Sequence, residues 1–467
     1  MNLIVKDGIV ITMDKERRII EDGAVVIEGN KIVDVDKTHK IEEKYNISEY
    51  ELIDANGMAV LPGFVNTHAH MYQNFMKGWH DDLPLKEWCD FVLFPVVKYA
   101  KTFEENGFNE FFYYSNMLAA IEAIRSGITT MLNFGAAKET TLRVFDEIGM
   151  RGIMGITLAD KWIPEELIRP TDEVLRDVQS IIDKWHNSRN GRLKVMYAPS
   201  TPFICTQEFL QKIKEHSEKT GVPITIHTSE TRYEVKLIKD ETGMRPIEYL
   251  DKIGFLGKNV LAVHCVWVSD NEINLLAKHD VKVSHNPKSN MRLASGIAPI
   301  VKMRQKGITI GLATDGAASN DNLDMIETMR AAAFLAKVST LRAGSLVGKD
   351  VLEMATIEGA RAVFMENEIG SLEPGKKADV ILIDLRKPHL QPVCNVINTI
   401  VYVASACDVN TVIIDGKIIM KDRKILTVDE NRILETVKEK FEPALKEIYN
   451  QTLSMEKVVE SEDIQIE

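Results

Sequence analysis

The chain has 467 residues, 45% hydrophobic and 27% charged, enough to bury one large core with a smaller module beside it. Its formal net charge of −12, with no dense basic run, argues against a nucleic-acid partner, and no stretch approaches the ~18 apolar residues of a membrane-spanning helix. The five cysteines (Cys89, Cys205, Cys265, Cys394 and Cys407) form no CxxC pair, and the start lacks the long apolar core of a signal peptide, so the expected setting is a reducing cytoplasm.

In chain order, residues 3–8, 9–13, 23–29 and 31–35 read as short strands joined at Gly or Asp. From residue 58 to 365, apolar strand-like runs alternate with helical stretches such as 107–125 and 324–336, the pattern of an α/β block with a parallel sheet. Short strands return at 378–384, 399–403 and 409–416, where Asp415-Gly416 is a hairpin signal. Two β-rich flanks around one α/β block predict a single small β-sandwich built from both chain ends, residues 1–57 and 366–425. Residues 426–467 read as a charged helix, 430–449, and an acidic tail beyond Ser454.

Four apolar runs end in metal-competent side chains. Leu61-Pro-Gly-Phe-Val-Asn-Thr-His68-Ala-His70 places two imidazoles at i and i+2, on one face of a strand, where both can reach one ion. Ile224-Thr-Ile-His227-Thr-Ser-Glu230, Val260-Leu-Ala-Val-His264-Cys265 and Ile308-Thr-Ile-Gly-Leu-Ala-Thr-Asp315-Gly follow. Parallel barrel strands deliver side chains to one site at their C-terminal ends, so these runs predict a barrel enzyme. His68, His70, His227 and Asp315 would offer three nitrogens and one oxygen to a divalent ion, leaving a position for water, whose pKa the ion lowers toward neutrality. Glu230, just beyond a ligand, is placed to shuttle protons between that water and a substrate. His264 reads as a hydrogen-bonding partner of the water, and His285 either supports the next loop or lines the pocket. The remaining histidines, His39, His80, His186, His216, His279 and His389, show no pattern and read as solvated.

The ordered set His68-Ala-His70, His227-Thr-Ser-Glu230, Val263-His264-Cys265, Ser284-His-Asn-Pro287 and Thr314-Asp-Gly-Ala-Ala-Ser-Asn320 resembles the amidohydrolase superfamily. Within it, the chain is most similar to the branch of methylthioadenosine/S-adenosylhomocysteine deaminases and triazine chlorohydrolases. Gly370-Ser-Leu-Glu-Pro-Gly-Lys-Lys-Ala-Asp-Val380 extends the likeness to the segment that re-enters the β-domain. The resemblance implies a (β/α)8 TIM barrel with one divalent metal, zinc foremost and iron or manganese as alternatives. It also implies a homo-oligomer, and hydrolysis at an aromatic ring carbon that carries an amino or chloro group. Binuclear relatives carry a lysine at the end of strand four; Leu193-Lys-Val-Met-Tyr-Ala-Pro-Ser200 ends without one, so a mononuclear site is implied.

In the cycle so implied, Glu230 protonates a ring nitrogen, Asp315 and His264 take the second proton of the water, and ammonia leaves. The intact Glu230 and Asp315 motifs favour deamination of a small heterocyclic substrate over dechlorination. They also disfavour a ligand-binding protein without turnover, and the absent lysine disfavours hydrolysis of a cyclic amide. Trp88 matches a tryptophan that lines the family's substrate pocket, although a core role is equally open.

Three positions depart from the adenosylhomocysteine pattern. Val97 follows Phe94-Pro95-Val96 where a ribose-binding glutamate is expected, Ser200 stands in place of a histidine, and Gly155 marks the place where an arginine that meets a substrate carboxylate is expected. Arg169 is the candidate for a carboxylate contact. The expected substrate is an adenosine-type nucleoside, with a free base, pterin or aminotriazine, or a chlorotriazine, as the alternative.

Overall fold

The computed structural model describes residues 2–135, 137–163 and 168–454. Eight parallel strands, Phe64–Ala69, Ile128–Gly135, Arg151–Leu158, Leu193–Pro199, Ile224–Thr228, Val260–His264, Lys282–His285 and Ile310–Leu312, are hydrogen-bonded side by side in chain order. The last returns to the first. Asp315 N–H donates to His68 O at 3.0 Å, and the Thr67 hydroxyl donates to Leu312 O at 3.0 Å. The sheet is therefore a nearly closed barrel, as the alternating pattern predicts.

Six of the eight strands are buried at every residue, because helices cover the outside and side chains fill the inside. Val65, Leu132, Ile153, Met196 and Leu261 fill the interior together with Ala360, Ala362 and Val363, so the short helix Ile357–Ala362 plugs the barrel. Two of the long outer helices begin on side-chain caps. Asn109 accepts from Phe112 N–H ahead of Glu110–Arg125, and Asp324 accepts from the N–H groups of Ile326 and Glu327 ahead of Met325–Thr340.

A second sheet is built from both chain ends. Its order is Lys424–Ile425, Lys417–Lys421, Val409–Ile414, Val380–Asp384, Met58–Pro62, Asn2–Ile11, Ile19–Glu28 and Lys31–Lys37, with Glu51–Asp54 pairing alongside Asn2–Ile11. Alternation divides its faces. Leu3, Val5, Val25, Ile27, Val60, Leu382 and Ile413 enclose one core, while Ala59, Leu61, Ile381, Ile383, Val412 and Ile414 pack on the barrel side.

The structure revises three readings. Met58–Pro62, placed at the start of the barrel block, pairs antiparallel with Val380–Asp384 and belongs to this sheet; buried on both faces, it looks in sequence like a barrel strand. Asn2–Ile11 is one long strand with an irregular register at Gly8, where two strands over 3–8 and 9–13 are expected, and Thr12 and Met13 lie beyond its end. Thr399–Val403, a β-branched run, is helical, continuing Val396–Asn398 from its Asn395 cap. The Asp415-Gly416 turn is as expected, with φ of 51° and 75° joining Val409–Ile414 to Lys417–Lys421.

One buried cation ties the two units together. Arg151, fully buried on the third barrel strand, donates to both carboxylate oxygens of Asp379 at 2.7 and 2.9 Å and to Asp415 at 3.1 Å. The C-terminal segment is helical from Glu430 to Leu453, and the tail beyond Ser454 lies outside the described residues. Among the described residues no helix is long and apolar enough to cross a membrane.

Candidate active site

His68 lies on the first strand, with His70 just beyond its end; His227 lies on the fifth, and Asp315 follows the eighth, so the barrel brings them together at its C-terminal rim. His68 Nε2 is 3.1 Å from His70 Nε2 and 3.2 Å from His227 Nε2, and the latter two are 3.4 Å apart. Asp315 Oδ1 is 3.5 Å from both His68 Nε2 and His70 Nε2. The opposite nitrogens are held by backbone: His70 Nδ1 donates to Phe134 O at 2.6 Å and His227 Nδ1 to Ser200 O at 2.8 Å. With the proton on Nδ1, each Nε2 presents a lone pair to the same point.

Converging lone pairs repel unless a cation lies between them. Two nitrogens about 2.1 Å from one ion at a tetrahedral angle would be about 3.4 Å apart, close to the spacing these residues show. The donor set therefore fits one divalent metal: His68, His70 and His227 converge on one point, and Asp315 Oδ1 lies 3.5 Å from the first two. Burial keeps the imidazoles in the neutral form that a metal needs. It drives His70 down to about 3, with His68 adding to the effect, and lowers His68 and His227 as well. Burial raises Asp315, but the hydrogen bond and charge of His68, then His264 and His70, hold its carboxyl well below the ordinary range.

Glu230 and His264 flank the cluster. His264 Nε2 is 3.4 Å from Glu230 Oε2 and 3.8 Å from Asp315 Oδ2. His264 Nδ1 meets Asn290 Oδ1 at 3.0 Å, and Asn286 Nδ2 donates to Asp315 Oδ2 at 3.3 Å. Burial raises Glu230 against the opposing charge of His264. Burial lowers His264, yet the carboxylates of Glu230 and Asp315 raise it overall. His264 and Asp315 both have positive φ, 72° and 64°, conformations that non-glycine residues adopt at a cost and that cluster at functional sites.

The other candidates are placed less evenly. Trp88 is buried, packs with Phe91 and Leu293, and donates Nε1–H to Ala318 O at 3.3 Å, three residues from Asp315. Ser200 stands at the site, where its carbonyl fixes His227. Arg169 is exposed and paired with Asp177 at 2.6 Å and Glu173 at 3.6 Å. The side chain of His285 is buried with both ring nitrogens unpartnered, while its carbonyl accepts Ala313 N–H at 2.9 Å. His80, read as solvated, is buried, with Nε2 2.9 Å from Thr452 Oγ1.

Sequence reasoning missed Asn286 and Asn290, although both stand in the Ser284–Asn290 motif; their signal was a polar residue following a buried strand at each turn of the next helix. It also missed Glu234.

Residues 59–419 match the amidohydrolase family. The chain belongs to that family. An amidohydrolase named 5'-deoxyadenosine deaminase, from Methanosarcina acetivorans, is 39% identical over 434 residues, which cover 93% of this chain and 96% of the relative. One from Desulforamulus reducens, named 5-methylthioadenosine/S-adenosylhomocysteine deaminase, is 36% identical over 439 residues, 94% of this chain and 98% of the relative. Among solved amidohydrolases, an adenosine deaminase from Xanthomonas campestris with bound zinc has a TM-score of 0.87 at 28% identity, over 97% of this chain and 99% of that one.

Proposed function

We propose that the protein is a zinc-dependent hydrolytic deaminase of adenosine-type nucleosides. The observation that carries the reading is the position of Glu230, a buried carboxyl 3.4 Å from His264 Nε2 at the edge of the three-histidine, one-aspartate cluster. The names of relatives at 36–39% identity over nearly the whole chain point to the same reaction.

When bound, the ion supplies Lewis-acid lowering of the pKa of a water. The residues of the chain manage protons and orientation. Glu230 takes one proton from the water and delivers it to the ring nitrogen beside the amino-bearing carbon. His264 and Asp315, facing each other across 3.8 Å, take the second and return it to the leaving amine, so that ammonia departs and a ring carbonyl remains. Asn290 fixes the imidazole of His264 and Asn286 holds Asp315 Oδ2, so neither group has to reorganise as charge develops. Trp88, bound to Ala318 O, forms one wall for a flat ring.

Among nucleosides, the reading favours 5′-deoxyadenosine and methylthioadenosine over adenosylhomocysteine. Its support is the surface pairing of Arg169 with Asp177, which leaves that guanidinium engaged away from a substrate carboxylate.

The test is ammonia release by zinc-loaded protein from adenosine, 5′-deoxyadenosine, methylthioadenosine, adenosylhomocysteine, free bases, pterins and aminotriazines, with chloride release from atrazine alongside. The nucleosides lead under this reading; turnover confined to free bases or triazines overturns it. Glu230→Gln keeps the shape and removes the proton carrier, so it retains metal and loses about 10²–10⁴-fold in kcat.

A further inference from the structure

The loop that carries Glu230 is held by a second carboxylate. Glu234 is buried, and its Oε1 accepts the N–H of Ser229 at 2.8 Å while its Oε2 accepts the N–H of Glu230 at 2.8 Å. It lies in the first turn of the helix Arg232–Thr242, capped by Thr231, whose hydroxyl oxygen accepts the N–H of Glu234 at 3.1 Å. A glutamate at that position ordinarily closes a capping box by turning back to the N–H of the cap residue itself. Here both oxygens pass Thr231 and take the two preceding N–H groups, those of Glu230 and the residue joining it to the fifth strand. Helix stability alone does not call for that reach.

Two further contacts frame the same loop. Ser229 has φ of 54°, a left-handed conformation that a serine holds only when its surroundings fix it. Its carbonyl accepts Trp267 N–H at 2.8 Å, and the Trp267 indole N–H donates to Ser295 O at 2.6 Å, while Ser295 Oγ lies 3.5 Å from Glu230 Oε1. The peptide units around Glu230 are thus pinned on both sides, with Glu234 contributing two charge-assisted bonds.

We propose that Glu234 is a positioning residue: by accepting both N–H groups it sets the backbone from which Glu230 reaches His264 and the metal cluster. The inference rests on the proton-carrier reading of Glu230. Among the described residues its hydrogen bonds go to Ser229, Glu230 and Thr231 and to none of the proposed metal ligands, so in this proposal it acts through the placement of its neighbour.

The experiment compares Glu234→Gln, Glu234→Ala, Glu230→Gln and the double variant Glu230→Gln/Glu234→Gln as zinc-loaded proteins. Gln keeps one acceptor, so kcat falls by about tenfold in Glu234→Gln and about a hundredfold in Glu234→Ala, the cost of a displacement near 1 Å at a reacting group. KM and zinc content of Glu234→Gln stay at parental values, which a merely structural role would not leave in place while kcat drops. In the Glu230→Gln background the second substitution costs nothing further, because the group that it places is gone.

Parental kcat in Glu234→Gln and Glu234→Ala, with Glu230→Gln inactive, overturns the positioning role alone. So does a loss that tracks zinc content, or one that repeats in full in the double variant. Parental turnover in Glu230→Gln overturns the proton-carrier reading and the inference with it.

Discussion

The main-chain N–H of Asp315 donates to the main-chain O of His68 at 3.0 Å, so two residues of the proposed ligand set also form a bond that closes the barrel between its last and first strands. Site and seam are the same place. Binding a metal to the native state alone stabilises it by about 4 kcal/mol at a thousandfold excess over Kd. Stripping the ion with a chelator should lower the melting temperature measured by calorimetry, and zinc should restore it. An unchanged melting temperature would mean that the cluster holds no ion.

Asp315→Asn preserves shape and removes the charge that balances the cation. The variant should bind zinc at least tenfold more weakly in a competition titration and show little deamination even at saturating metal, because a proton acceptor opposite His264 is lost with the ligand. Tight zinc binding together with parental kcat would remove Asp315 from both roles.

Arg151 with Asp379 and Asp415 is a buried charge cluster linking the barrel to the terminal sheet. Arg151→Met strands two carboxylates in a site that the cation neutralised, so unfolding by urea should be easier by about 3–5 kcal/mol. The activity of the remaining folded molecules should be unchanged, since the cluster touches no part of the metal site. A variant as stable as the parent would show the linkage to be incidental.

Burial pushes the Glu234 carboxyl up to about 7, against the two N–H bonds that favour its charged form. A group that holds its proton more tightly when folded adds stability below its ordinary value of 4.5, and that stability is lost as the pH rises through about 7. Across that window the contribution falls by about 3 kcal/mol. In metal-free protein, the parent's urea midpoint should decline from about pH 5 to about pH 7.5 relative to Glu234→Gln, which has nothing to titrate there. Parallel curves for the two proteins would contradict the raised value.

Much of the site was legible because its chemistry is local in sequence. His68 and His70 lie at strand spacing, and Glu230 follows His227 by three residues, so period and motif alone placed them. What was not legible depends on partners far along the chain. Met58–Pro62 is as apolar as a barrel strand, and only its pairing with Val380–Asp384 assigns it to the other sheet. Thr399–Val403 has strand-like composition, yet an Asn395 cap and burial of Ile400 and Val401 make it helical. The charge of Arg169 shows in the sequence, but its pairing with Glu173 and Asp177 shows only in the fold. Glu234 completes a Thr231-x-x-Glu234 capping-box signature that marks a helix start, and which N–H groups it reaches shows only in the fold.

The terminal sheet has a consequence for how the chain is made. Its strand Met58–Pro62 leaves the ribosome early, but its antiparallel neighbour Val380–Asp384 emerges only after the whole barrel has been synthesised. At ~5–20 residues per second, that delay is on the order of 15–60 s. Throughout it, the nascent N-terminal strands present an unpaired hydrogen-bonding edge, a surface on which a chaperone or a misplaced strand could act before the native neighbour arrives.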